Sequence, residues 1–89
     1  MMNRGLKLDP KDNVAVVIDN VKAGEEVSVG TEIIVAIADI EMPHKIAIAD
    51  IKSGEPVIKY GESFGYATKD IAKGEHVHVH NVDSEKMMK

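Results

Sequence analysis

A short pattern recurs along the 89-residue chain: Asn20-Val21-Lys22-Ala23-Gly24-Glu25-Glu26-Val27, then Asp50-Ile51-Lys52-Ser53-Gly54-Glu55-Pro56-Val57, then Asp70-Ile71-Ala72-Lys73-Gly74-Glu75-His76-Val77. Its common form is Asn or Asp, a β-branched residue, two variable positions, Gly-Glu, one variable position and Val. That is room for one turn between two strands and no more. Read locally, the Asn or Asp side chain caps free N–H groups and the Gly takes the left-handed conformation that stops a turn, so a single helical turn is expected at each copy. Val21, Ile51 and Ile71 should pin these turns to the core. The copies are too few and too unevenly spaced for a solenoid. A folded-over, pseudo-symmetric unit is expected instead.

The segments around the turns are short and rich in Val and Ile. Val14 to Ile18, Lys45 to Ala49 and Phe64 to Thr68 lead into the three copies, while Glu26 to Val29, Pro56 to Tyr60 and His76 to Asn81 lead out of them. Ile33 to Ile40 adds a longer apolar run. Gly30, Gly61 and Gly65 read as turn positions, and no 3.6-residue apolar period is sustained over a helical length. A mostly β domain of short strands over 12–82 follows, with 1–11 as an N-terminal segment or edge strand and 83–89 as a polar tail.

Composition excludes several classes of function. There is no cysteine, so neither disulfides nor thiolate metal sites are available, and any metal must be held by His or oxygen ligands. The net charge is −4 and the eleven Lys and Arg form no basic block. With Tyr60, Phe64 and Tyr66 as the only aromatics, nucleic acid is not expected as a partner. The apolar run Ile33 to Ala38 is far too short to cross a bilayer. Residues 1–10 lack the apolar stretch of a secretory signal, and a soluble cytoplasmic protein is expected.

The chemistry concentrates in His76-Val77-His78-Val79-His80-Asn81. In an extended strand alternate side chains share a face, so the three imidazoles should project together and Val77 and Val79 should point to the core. Imidazoles so placed can converge on one metal ion, or one can orient another for proton transfer. His44, in a loop between strands, is a further candidate. Lys45 can pair with a carboxylate. Lys59 and Tyr60 can present a cation and a phenol, but on a strand they would face opposite ways.

Taken together, His44-Lys45-Ile46-Ala47, Gly54-Glu55-Pro56-Val57-Ile58-Lys59-Tyr60-Gly61, Gly65-Tyr66-Ala67-Thr68 and Gly74-Glu75-His76-Val77-His78-Val79-His80-Asn81 closely resemble the amino-terminal domain of the altronate and galactarate dehydratase family. That domain belongs to the SAF group, with the β-clip fold. One departure is Pro43, where family members commonly have Gly before the His-Lys pair; it stiffens the loop that carries His44.

The resemblance implies a small, non-autonomous subunit of a sugar-acid hydro-lyase, completed by a larger catalytic subunit, acting on a small sugar acid and dependent on Fe2+ or Mn2+. It implies His44, His78 and His80 as catalytic residues, with His78 and His80 as metal ligands, His76 at the rim, and Lys45, Lys59 and Asn81 meeting the substrate. A homo-oligomer is compatible with that arrangement. The same resemblance extends to the small subunit of a sulfolactate sulfo-lyase, in which sulfite leaves instead of water, and the rival of another class is a non-catalytic module that binds anionic sugars.

Overall fold

A computed structural model of the protein describes residues 3–83. Its nine strands are β1 (Asn3–Leu6), β2 (Val14–Val17), β3 (Glu26–Val29), β4 (Glu32–Val35), β5 (Lys45–Ala47), β6 (Pro56–Lys59), β7 (Glu62–Ala67), β8 (His76–Val77) and β9 (Val82–Asp83). They form a six-stranded sheet in the order β4-β3-β1-β2-β5-β8 and a three-stranded sheet in the order β6-β7-β9. The mostly β class is as expected. Among the described residues there is no helix, and none therefore long and apolar enough to cross a membrane.

The helical turns expected at the repeats are β-turns. The N–H of Glu25, Glu55 and Glu75 donates to the C=O of Lys22, Lys52 and Ala72 at 3.0, 2.9 and 2.9 Å. The third turn residues, Gly24, Gly54 and Gly74, have φ of 91°, 89° and 93°, and the residues before them have negative φ. That is the type II signature, which needs a residue free to take positive φ at its third position. Each Glu then folds back: the Oε1 of Glu25, Glu55 and Glu75 accepts from the N–H of Lys22, Lys52 and Ala72.

The capping groups act across copies and not within them. Asp50 Oδ1 accepts from Lys73 N–H and Asp70 Oδ1 from Ser53 N–H, both at 2.9 Å, beside the Ile51–Ile71 backbone bridge. The same exchange occurs earlier in the chain. Asn20 Oδ1 accepts from Met42 N–H and Asp39 Oδ1 from Ala23 N–H, beside a Val21–Ile40 bridge. The partner of the first copy is thus a fourth, Asp39-Ile40-Glu41-Met42-Pro43-His44, in which a cis Met42–Pro43 bond and His44 replace Gly-Glu. Two units of like design result: β2-turn-β3-β4-turn and β5-turn-β6-β7-turn.

Each unit has its own core. Val17, Val27, Ile34, Ile40 and Ile46 centre the first, and Val14, Ile51, Val57, Ile71 and Val77 the second. β2 and β5 join the two, because their alternate side chains enter different cores. Every one of these side chains is almost wholly removed from water, a burial worth about 1.5–3 kcal/mol apiece.

Residues 3–6 do not form an edge strand. β1 lies inside the sheet, antiparallel to β2 and parallel to β3. Strands that run beyond their expected ends are few, whereas Ile33 to Ile40 and His76 to Asn81 are strand over only Glu32–Val35 and His76–Val77. Gly65 is not a turn residue: it sits within β7, where a Cβ would strike the Asp83 carbonyl and Val82, and so it permits β9 to pair. The expected polar tail lies outside the described residues except for Asp83, which is in β9.

Candidate functional site

The fourth turn sets up the site. His44 occupies the position that Glu25, Glu55 and Glu75 hold in the other copies, but its N–H closes the turn onto the Glu41 C=O at 2.7 Å and its ring leaves the turn. β5 begins at the next residue. In the β5–β8 register Lys45 faces Val77 and Ile46 faces His76. Carried one step further, that antiparallel register sets His44 against His78 and leaves His76 on the diagonal, both within side-chain reach.

The rings meet as this predicts. His44 and His78 stack at 4.0 Å between centroids with an 11° interplanar angle, and His44 lies 5.1 Å from His76 at 9°. His44 Nδ1 and His76 Nε2 are hydrogen-bonded at 2.9 Å. One of those nitrogens donates and the other accepts, so at least one ring of the pair is neutral. Ligand nitrogens of His44, His76 and His78 all lie within 4.8 Å of one another.

This trio differs from the expected one. His80 is exposed, its ring tilted 43° against His76 at 5.1 Å, and it stands outside the cluster. His76, expected at the rim, takes its place. The reason is local: β8 ends at Val77, so the two-residue alternation ends there too. His78 N–H donates to Asn81 Oδ1 at 3.0 Å, Asn81 N–H returns to the His78 C=O, and the segment turns over. Val79, expected in the core, is thrown out to 79% exposure.

Asn81 is the pin of that turn. It has no exposed surface, and its Nδ2 donates to the His76 C=O at 2.9 Å and to Glu75 Oε2. An amide so engaged positions the backbone of two cluster histidines instead of reaching a substrate.

Electrostatics favour neutral rings. Burial lowers the His76 pKa below the usual value, aided by the positive potential of His80, His44 and His78 and opposed by Glu41. Burial likewise lowers that of His78, with His44, Lys45 and His80 adding to it. A neutral imidazole keeps a lone pair for a metal or a proton.

Beside His78 opens a cavity of about 280 Å³ lined by Lys45, Phe64, Val77, His78, Val79 and Val82. Lys45 Nζ stands 5.2 Å from the Phe64 ring centroid and Lys59 Nζ 5.9 Å from it. Burial and then the Lys59 charge lower the Lys45 pKa. Lys59 also lies over the Tyr60 ring at 5.1 Å, contrary to the opposite-face expectation, because Tyr60 is not in a strand: with φ of 56° it forms the β6–β7 turn with Gly61 at 81°.

Residues 3–85 match the family described as the altronate/galactarate dehydratase SAF domain. The chain belongs to that family. It is 46% identical over 76 residues to the altronate dehydratase of Escherichia coli (strain K12) and 38% identical over 80 residues to that of Bacillus subtilis (strain 168). These matches take in 85% and 90% of this chain but only 15% and 16% of the two enzymes. The chain is also 43% identical over 49 residues to the (2R)-sulfolactate sulfo-lyase subunit alpha of Paracoccus pantotrophus, covering 55% of this chain and 73% of that one. A SAF domain of this family is thus known both as a small part of a long enzyme and in a short subunit.

Strand alternation had grouped His76 with His78 and His80, and it was the family resemblance that set His76 at the rim. Two signals could have kept it in the cluster: Asp39-Ile40, which stands 19 residues after Asn20 much as Asp70 stands 20 after Asp50, and Asn81, whose residue type favours turns over strands.

Proposed function

We propose that this chain is the small, non-autonomous part of a sugar-acid hydro-lyase of the altronate or galactarate type, and that its histidines form one half of a composite metal-dependent site. The His44–His76–His78 cluster carries this reading. Three imidazole donors that converge, two of them with pKa values lowered chiefly by burial, fit a divalent ion; imidazole suits ferrous iron, whereas manganese prefers oxygen donors. Such an ion would supply positive charge to stabilise the enediolate-like state formed when a proton leaves the carbon beside a carboxylate.

The chain's own residues cover only part of that chemistry. Elimination breaks a C–H bond, passes its electron pair into a new C=C bond, and expels the neighbouring hydroxyl, which takes up a proton and leaves as water. A base and an acid are therefore needed in addition to the cation. The rings of His44, His76 and His78 would hold the cation, Asn81 fixes the turn that aims two of them, and His80 stands exposed at the rim where a covering chain would meet it. No carboxylate joins this cluster among the described residues. The acid and base then belong to a larger catalytic chain, and a cytoplasmic, metabolic setting is part of this reading.

Purified alone, the chain should not turn over altronate or galactarate. A tagged copy recovered from its native host should bring down a larger polypeptide, and the complex should dehydrate one of these acids in an Fe2+-dependent way. Turnover by the isolated chain would overturn the reading. The second reading is the sulfo-lyase subunit, which the 73% coverage of a separate short chain favours; release of sulfite from sulfolactate by the same complex would select it.

A further inference from the structure

Among the described residues neither of the two lysines beside the cluster forms an ion pair. Lys45 is half-buried at the start of β5, and Lys59 is half-buried at the end of β6. They come from different sheets, yet both ammonium groups converge on one ring, that of Phe64 in β7. Phe64 does attract them by its π-face, but a ring quadrupole does not neutralise two charges. Among the described residues the recorded ion pair is Arg4 with Asp19, far along the chain from both, and Glu62, which faces Lys59 across the hairpin, closes no ion pair with it. Two half-buried cations at one ring without an acid cost free energy until an anion arrives.

The surroundings define what that anion is attached to. The cavity at Lys45 continues over Phe64, Val77, Val79 and Val82 to His78. Four apolar side chains, one lysine and one imidazole line it, and Lys59 is not among them. A small molecule with a carboxylate and a neighbouring hydroxylated carbon suits a cavity that offers an ammonium, an imidazole and apolar walls.

We propose that Lys45, Lys59 and Phe64 form an anion seat for the carboxylate of a small hydroxy acid, lying wholly within this chain and needing neither metal nor partner. The lysines hold the carboxylate, Phe64 keeps their stems in place, and the adjacent carbon is directed toward His78. Naming the ligand a hydroxy acid rests on the composite-site reading, whereas the seat itself does not.

The test is an NMR titration of the metal-free chain, with EDTA present, using galactarate as the probe and galactitol, its neutral polyol, as the control. Galactarate should shift resonances of Lys45, Phe64, His78, Val79 and Val82 in a saturable way, and galactitol should not. Lys45→Met and Lys59→Met, each checked for native strand content by circular dichroism, should each weaken binding about tenfold, as expected for a charged hydrogen bond; Lys45→Arg should retain most of it. Equal shifts with galactitol, no shifts at this pocket, or a galactarate affinity unchanged in either Met variant would overturn the seat. Binding that survives in a variant lacking His44 and His76 separates the two ideas, since it leaves the seat standing whatever becomes of the metal site.

Discussion

The two repeated units share a turn-and-bridge design and differ at one end. In the first unit the closing turn is Glu41-Met42-Pro43-His44; in the second it is Ala72-Lys73-Gly74-Glu75. Glu75, like Glu25 and Glu55, folds its Oε1 back onto its own turn. His44 does not, and its ring is free to meet His76 and His78. The lesson is that the candidate site draws on both closing turns: one spares its last side chain, His44, a structural duty, while the other keeps that duty in Glu75 and delivers His76 and His78 on the strand that follows.

Three perturbations probe that difference. Asn81→Ala should be the most damaging, because the second unit alone ends in a turn pinned by a buried amide. Its loss leaves the His78 N–H and His76 C=O without their partner, at about 2–4 kcal/mol, read as a fall in the urea midpoint with the slope unchanged. A loss near zero would mean the histidine turn holds itself.

Acid should act on the end that carries the site. His76 and His78 have folded pKa values below their unfolded value of about 6.5. Above that value both states are neutral and pH has no effect through these groups. As pH falls below it, the unfolded chain takes up protons first, so stability declines through the folded pKa values. Urea midpoints measured from pH 7.5 to 5 should fall, and the fall should flatten in a His76→Gln, His78→Gln variant; an equally steep fall there would assign the effect elsewhere.

The smallest effect tests the likeness of the units. Asp39→Ala and Asp70→Ala each remove one carboxylate acceptor from an equivalent turn N–H, of Ala23 and Ser53. Each should cost about 1 kcal/mol, the usual value of a cap. A clear inequality between them in chemical denaturation would break the pseudo-symmetry.

How far the sequence carried can be read from these same residues. Short Val- and Ile-rich segments and recurring Asp-Ile and Gly-Glu pairs revealed a β protein with repeated turns, because alternation and turn chemistry are local. Local information also misled. Asn or Asp followed by Gly four residues later reads as a capped helical turn, but the carboxylates of Asp50 and Asp70 cross to each other's turns, a tertiary exchange invisible in one segment. β1 sits between β2 and β3 for the same kind of reason, since parallel pairing with β3 leaves no mark at residues 3–6. At the site, the run of alternating histidines suggested one face, but Asn81 captures the His78 N–H and folds the strand over. His76 belongs to the cluster through the β5–β8 register, and the bend carries His80 out of it.

On the proposed reading a divalent ion is held by His44, His76 and His78, and not by the pair His78 and His80. Anaerobic calorimetric titration of the chain with Fe2+ tests it most directly, comparing His76→Ala with His80→Ala. His76→Ala should weaken binding about a hundredfold or more, beyond the losses typical of groups that merely support a ligand, while His80→Ala should leave it nearly unchanged. Loss of binding in His80→Ala with full binding in His76→Ala would contradict that reading.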